Sequence, residues 1–149
     1  MRLSGGWRAD ACMRRIADTG LIKAAIDADD WAHPWGATQF RKHAPFHTCD
    51  AVLVELAFLL GTPIPGLQLI VRGDFILDFD LAVEINPVLD LLQKYRDRQM
   101  DLADACLVRM TELDAQSKVW TVDWRDFSVY RRHDRQVVPC EFPPGKRRA

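Results

Sequence analysis

The segment "RRIADTGLIKAAIDADD" (residues 14–30) decides the fold. Its opening "RRIAD" reads as a short strand, and "GLIKAAIDADD" (20–30) carries Ile22, Ala25 and Ile26 at helical spacing, so a strand feeds directly into a helix. The alternation continues outward. "WAHPWGATQFRKH" (31–43) reads as a second helix, and "FHTCD" (46–50) as a brief strand or turn whose Thr48 or Asp50 can cap the next helix. That helix is "AVLVELAFLLG" (51–61), ending at Gly61, and "PIPGLQLIVRGD" (63–74) is a shorter one ending at Gly73. Then come the strand "FILDF" (75–79), the helix "AVEINPVLDLLQKYRDR" (82–98) with Val88, Leu91, Leu92 and Tyr95 on one face beyond Pro87, and the helix "DLADACLVRMTELDAQS" (101–117). "KVWTVD" (118–123) is a β-branched strand, and "QVVPCEF" (136–142) a possible last one. Strands separated by helices predict an α/β fold with a mainly parallel central sheet covered on both faces.

At 149 residues the chain suits one domain, able to bury about 68–70% of its unfolded surface. Twenty Lys and Arg against 21 Asp and Glu give a net charge of -1, so local charge matters more than the total. The longest apolar stretch, 51–61, is far short of a membrane span and is interrupted by Glu55. The N-terminus has arginines but no apolar h-region, so a cytoplasmic location is expected. Cys12, Cys49, Cys106 and Cys140 form no C-x-x-C pair and read as reduced thiols. His43 and His47 are spaced i, i+4, but Pro45 between them breaks the helix that would align them on a metal. "PPGKRRA" (143–149) reads as a disordered basic tail.

Acids fall where a parallel sheet places its ligands, beyond the carboxyl ends of strands. Asp18 closes "RRIAD" and Asp123 closes "KVWTVD", although Asp also stops strands and caps helices for purely structural reasons. Glu55 is harder to explain that way, because an ionised carboxylate within an apolar helix needs a partner. Asp101 and Asp104 are i, i+3 neighbours, placed to cap their helix or to join a site. Converging carboxylates without Cys or His suit hard cations such as Mg²⁺ or Mn²⁺, the chemistry of phosphodiester hydrolysis.

The pieces "IADTGLIKAAIDADDWAH", "VLVELAFLLG", "YRDRQMDLADACLVRM" and "TVDWRDFSVYRRH", in this order, resemble the PIN-domain family and in particular the VapC toxins of toxin–antitoxin pairs. The resemblance covers nearly all of 13–142. It implies a three-layer α/β/α sandwich, a Mg²⁺- or Mn²⁺-dependent endoribonuclease activity and an acidic quartet at Asp18, Glu55, Asp104 and Asp123. Asp101 is implied as an accessory ligand, with Thr19 and Asp126 supporting the site from behind. It also implies a VapB-like antitoxin as partner and a homodimer. Lys23 replaces a residue the family more often has aliphatic; its ammonium could meet a substrate phosphate or lie on a solvated helix face. The resemblance begins at Met13, which marks 1–12 as an N-terminal extension that need not be native.

Arg125, Arg131 and Arg132, with Arg135, Lys146, Arg147 and Arg148 beyond, make the C-terminal part basic and are candidate RNA phosphate contacts, or a solvated charge run. Trp31 and Trp35 could stack bases, or pack in the core or on a partner. Two other function classes compete. A module that binds RNA or protein without cutting has no reason to keep mutually repelling carboxylates. An aspartyl-phosphate phosphatase wants D-x-D after its first strand, where "DTG" offers one acid.

Overall fold

The computed structural model describes residues 13–145. The expected N-terminal extension with Cys12, and the tail residues Lys146, Arg147 and Arg148, lie outside the described residues. Strands and helices alternate in the expected order: β1 (Arg14–Ala17), α1 (Thr19–Ile26), α2 (His33–His43), β2 (Phe46–Thr48), α3 (Asp50–Leu60), α4 (Ile64–Arg72), β3 (Phe75–Leu77), α5 (Ile85–Lys94), α6 (Leu102–Leu113) and β4 (Ser117–Trp120). A short helix α7 (Trp124–Phe127) follows, then an antiparallel pair, β5 (Arg131–Arg132) with β6 (Gln136–Val137), and a last strand β7 (Cys140–Glu141).

Five strands make one sheet in the order β3-β2-β1-β4-β7, with every pairing parallel. Side chains alternate across it, which sorts the two covering layers. Phe46, Phe75 and Trp120 face α2, where the rings of Phe40 and Phe75 stack at 5.7 Å and His43 lies 5.3 Å from Trp120. Ser117 and Val119 face the other way, and the Ser117 Oγ donates to the Thr111 carbonyl of α6 at 3.4 Å. The molecule is therefore the three-layer α/β/α sandwich that was expected. Its core runs through both faces, with Ile16, Phe46, Leu107 and Val119 fully enclosed.

The strand order positions the site. From β1 the chain moves outward through β2 to β3, then returns to the opposite side of β1 with β4 and β7. Beyond the carboxyl ends of β1 and β4 the connections diverge to opposite layers, and that divergence opens a crevice. Asp18 and Asp123 both follow those two strand ends.

Several local expectations change. "QVVPCEF" is not one strand: Gln136–Val137 turns back on β5, and only Cys140–Glu141, beyond Pro139, joins the main sheet. Neither Thr48 nor Asp50 caps α3. Thr48 is still in β2, where its Oγ1 donates to the Ala17 carbonyl at 2.9 Å, and Cys49 occupies the cap position without a side-chain bond. Gly61 and Gly73 do end α3 and α4, with φ of 79° and 87° that a Cβ-bearing residue adopts at a cost. The helix carrying Glu55 is not enclosed all round. It buries Val52 and Leu56 but leaves Val54 70% and Phe58 86% exposed. Among the described residues no helix is long and apolar enough to cross a membrane.

Candidate functional site

A cleft of about 570 Å³ opens at the crevice beyond β1 and β4, and the six acids Asp18, Glu55, Asp101, Asp104, Asp123 and Asp126 all line it. Four separate elements supply them. Asp18 is the N-cap of α1, Glu55 comes from the middle of α3, Asp101 and Asp104 from the start of α6, and Asp123 and Asp126 from the start of α7. The structure thus brings together every acid the sequence singled out. One carboxylate oxygen from each of Asp104, Asp123 and Asp126 comes within 4.8 Å of the other two, so Asp126, expected in a supporting place, stands close enough to share a cation with them.

Neutral donors hold five of these acids. Asp18 accepts from the Thr19 amide at 2.7 Å and from the Thr121 hydroxyl at 2.6 Å. The same Thr121 oxygen accepts from the Asp123 amide at 3.0 Å, so one buried hydroxyl ties the two strand-end acids together. Thr19 donates its hydroxyl to Glu55 Oε1 at 2.6 Å, the supporting position expected of it. The Tyr130 hydroxyl donates to Asp104 Oδ2 at 2.7 Å. Asp101 and Asp123 also cap their helices, accepting from the amides of Asp104 at 2.8 Å and Asp126 at 3.0 Å. Capping and site membership are compatible, because each cap uses only one oxygen.

Gly20 makes the crevice narrow. A Cβ there would stand 2.3 Å from Val122 Cγ2, so any larger residue would push α1 away from the loop that carries Asp123. One wall of the cleft is apolar, formed by Val54, Phe58 and Leu59 of α3.

Crowding of like charge out of water raises the carboxyl pKa values. Asp18 is pushed up to about 6 by burial and by the charges of Asp123 and Asp101, against the pull of its Thr121 and Thr19 bonds. Glu55 is pushed up to about 7, by burial first and then by Asp101 and Asp18. Asp104 reaches about 8 through burial and the charge of Asp18, although the Tyr130 bond opposes the shift. Burial raises Asp123 as well. Acids in this state are strained without a counter-charge, and an all-carboxylate donor set fits a hard divalent cation such as Mg²⁺ or Mn²⁺.

The cationic candidates are placed differently. Arg131 Nη1 donates to the carbonyls of Ser128, Val129 and Tyr130, and Arg132 Nη1 to that of Thr111 at 3.0 Å. Both residues, expected as RNA contacts, thus have guanidinium nitrogens bonded to main-chain carbonyls of their own domain. Arg125 is exposed next to Asp126. Lys23 lies neither on a free face nor at the cleft, since Asp27 and Asp30 hold its Nζ at 3.0 Å each. Trp35 packs against the core, whereas Trp31 is half-exposed. Cys49 and Cys106 are buried free thiols, and His43 and His47 lie apart, one ending α2 and one in β2.

Sequence reasoning missed Gly20, Arg98, Thr121 and Tyr130. Thr121 carried a signal, since residues i and i+2 of an extended segment share a face and "TVD" pairs it with Asp123. Arg98 reaches the edge of the cleft, its Nε 3.1 Å from Asp126 Oδ1. Nothing local marks Tyr130, which lies 26 residues from its partner. In comparisons with known proteins, no family model matches the chain and no curated protein matches it.

Proposed function

We propose that the protein is a Mg²⁺- or Mn²⁺-dependent endoribonuclease of the PIN-domain type, the toxin component of a VapBC-like pair. The observation that carries this reading is the convergence of Asp18, Glu55, Asp104 and Asp123, with Asp101 and Asp126, on one cleft at the divergence of the parallel sheet. A binding module would be stabilised by losing such repulsion, so retaining it argues for chemistry.

The four principal acids, with Asp101 and Asp126 beside them, would hold the cation. Once bound, such a cation lowers the pKa of a water and neutralises charge on the leaving oxygen of a phosphodiester. The chain's own part is positioning. Thr19, Thr121 and Tyr130 fix carboxylate directions, Gly20 lets the two strand-end acids approach, and Arg125 and Arg98 stand beside the cleft, where a phosphate flanking the reacting one would lie. Because the acids must shed protons to receive a cation, binding should weaken on acidification.

The apolar wall supports the partner half of the reading. Val54, Phe58 and Leu59 are 70%, 86% and 52% exposed beside an acidic cleft, a surface suited to an antitoxin segment with apolar residues and one basic side chain. Ile64, Leu67 and Val71 of α4, all more than half exposed, would suit a homodimer contact. The same wall favours the second reading, a protein-binding module without cleavage. One experiment separates them. Purified protein incubated with RNA should cut with Mg²⁺ or Mn²⁺ and stop with chelator. Cutting that persists unchanged in chelator would remove the metal mechanism, and no cutting by partner-free protein would favour the binding module.

A further inference from the structure

Each principal acid already has an oxygen committed inside the protein. Asp18 has both, to Thr19 and Thr121; Glu55 gives Oε1 to Thr19, Asp104 gives Oδ2 to Tyr130, and Asp123 gives Oδ1 to the Asp126 amide. Among these donors Tyr130 is unusual, because it belongs to neither a helix cap nor the strand rim. It is fully buried, and its ring is clamped edge-on by Tyr95 at 5.1 Å and Phe127 at 5.2 Å. Those contacts hold the ring in place, and its hydroxyl donates to Asp104 Oδ2 at 2.7 Å.

We propose that Tyr130 is a positioning residue that restricts Asp104 to a single free carboxylate oxygen, and that this restriction makes the cleft favour Mn²⁺ or Mg²⁺ over Ca²⁺. The proposal rests on the metal-site reading above. Its physical basis is ligand supply. Ca²⁺ takes six to eight oxygens and often both oxygens of one carboxylate, whereas Mg²⁺ keeps several waters and needs few protein oxygens in near-octahedral array. A cleft whose acids each offer at most one free oxygen serves the second ion better. Among the four principal acids, Glu55 Oε2, Asp104 Oδ1 and Asp123 Oδ2 carry none of these bonds, and deleting the Tyr130 hydroxyl would release Asp104 Oδ2 as well.

The test compares Mn²⁺ and Ca²⁺ affinity by calorimetry on the full chain, for wild type, Tyr130→Phe and Tyr95→Phe, with circular dichroism to establish folding. Tyr130→Phe keeps the packed ring and removes only the hydroxyl. The ratio of Mn²⁺ to Ca²⁺ affinity should fall on the order of tenfold, the size of change expected when a ligand loses its outer support. Tyr95→Phe removes a hydroxyl from the same aromatic cluster, one that accepts from the Arg131 amide at 2.8 Å and touches no acid. That ratio should not change. Infrared difference spectra of wild type with and without Mn²⁺ supply a check that needs no variant: the carboxylate bands should show one-oxygen binding only. A folded Tyr130→Phe with an unchanged ratio, an equal fall in Tyr95→Phe, or a two-oxygen carboxylate signature in wild type would each overturn the proposal. Wild type that binds neither ion would instead overturn the metal-site reading itself.

Discussion

Two groups of half-buried acids in this molecule are held in opposite ways. At the outer end of α6, Arg109 sits between Glu84 and Glu112 at 2.8 and 3.1 Å, and the second Glu112 oxygen accepts from the His133 amide at 2.8 Å. At the inner end of the same helix, Asp104 and its neighbours in the cleft rest on hydroxyls and amides. Arg98 meets this second group at its margin, through Asp126. The first arrangement neutralises its charges within the chain, as a structural network does. The second leaves like charges facing one another, and such an arrangement is stable only with protons or an external cation. One helix thus carries a finished ion cluster at one end and an unfinished one at the other.

The largest expected divergence is in activity. Asp18→Asn and Asp104→Asn should lower RNA cleavage about a hundredfold or more, since each tenfold in rate is about 1.4 kcal/mol and a cation supplies several. Glu84→Gln should cleave like wild type in the same single-turnover assay. Equal losses in both regions would mean that the variants act through folding, and the contrast would collapse.

Acidity should separate the regions next. Asp18, Glu55 and Asp104 have folded pKa values near 6, 7 and 8, above ordinary values of 3.8, 4.5 and 3.8. Between those limits the folded protein holds protons the unfolded chain has released, so stability falls as pH rises. The penalty is absent below about pH 4 and fully developed above about pH 8. Metal-free protein should therefore melt higher at pH 5 than at pH 8, and saturating Mn²⁺ should reverse the order. A metal-free Tm that climbs from pH 5 to pH 8 would contradict the crowding at the cleft.

A smaller effect probes how the cleft is closed. Gly20→Val should cost about 1–3 kcal/mol in urea denaturation, the usual penalty for forcing atoms into a packed contact, and should lower cleavage by parting Asp18 from Asp123. Smallest of all, Glu84→Gln should cost about 1 kcal/mol, because a partly exposed ion pair contributes little. The sign matters more than the size, since neutralising an acid in the balanced cluster should destabilise.

The reach of the sequence differs between these levels. Long elements were legible because helical spacing in "GLIKAAIDADD" and the β-branched run "KVWTVD" repeat over enough residues to show a period. The two-residue strands β5, β6 and β7 and the four-residue α7 have no period to show, and Pro139 divides a stretch that reads as one strand. The acids were legible because strand ends and a charge within an apolar run are local anomalies. Of their supports Thr19, next to Asp18, was legible, whereas the bond of Thr121 to Asp18 was not, since the two lie 103 residues apart and meet only across the sheet. Arginine counts leave individual roles open for a related reason. Charge composition cannot distinguish a guanidinium in water from one bound to carbonyls, as Arg131 and Arg132 are.

The central claim is that the cleft acids are tolerated for the sake of a cation, and four melting curves test it most directly: wild type and Asp104→Asn, each with and without Mn²⁺ at neutral pH. The amide keeps an acceptor for Tyr130 while removing one charge. Metal-free Asp104→Asn should melt above metal-free wild type. Mn²⁺ should then raise wild type the more, by about 2.7 kcal/mol at a hundredfold excess over its Kd, and the variant clearly less. If metal-free Asp104→Asn melts well below wild type and Mn²⁺ moves both equally, Asp104 is a helix-end strut for Tyr130, and its place in a metal site must be withdrawn.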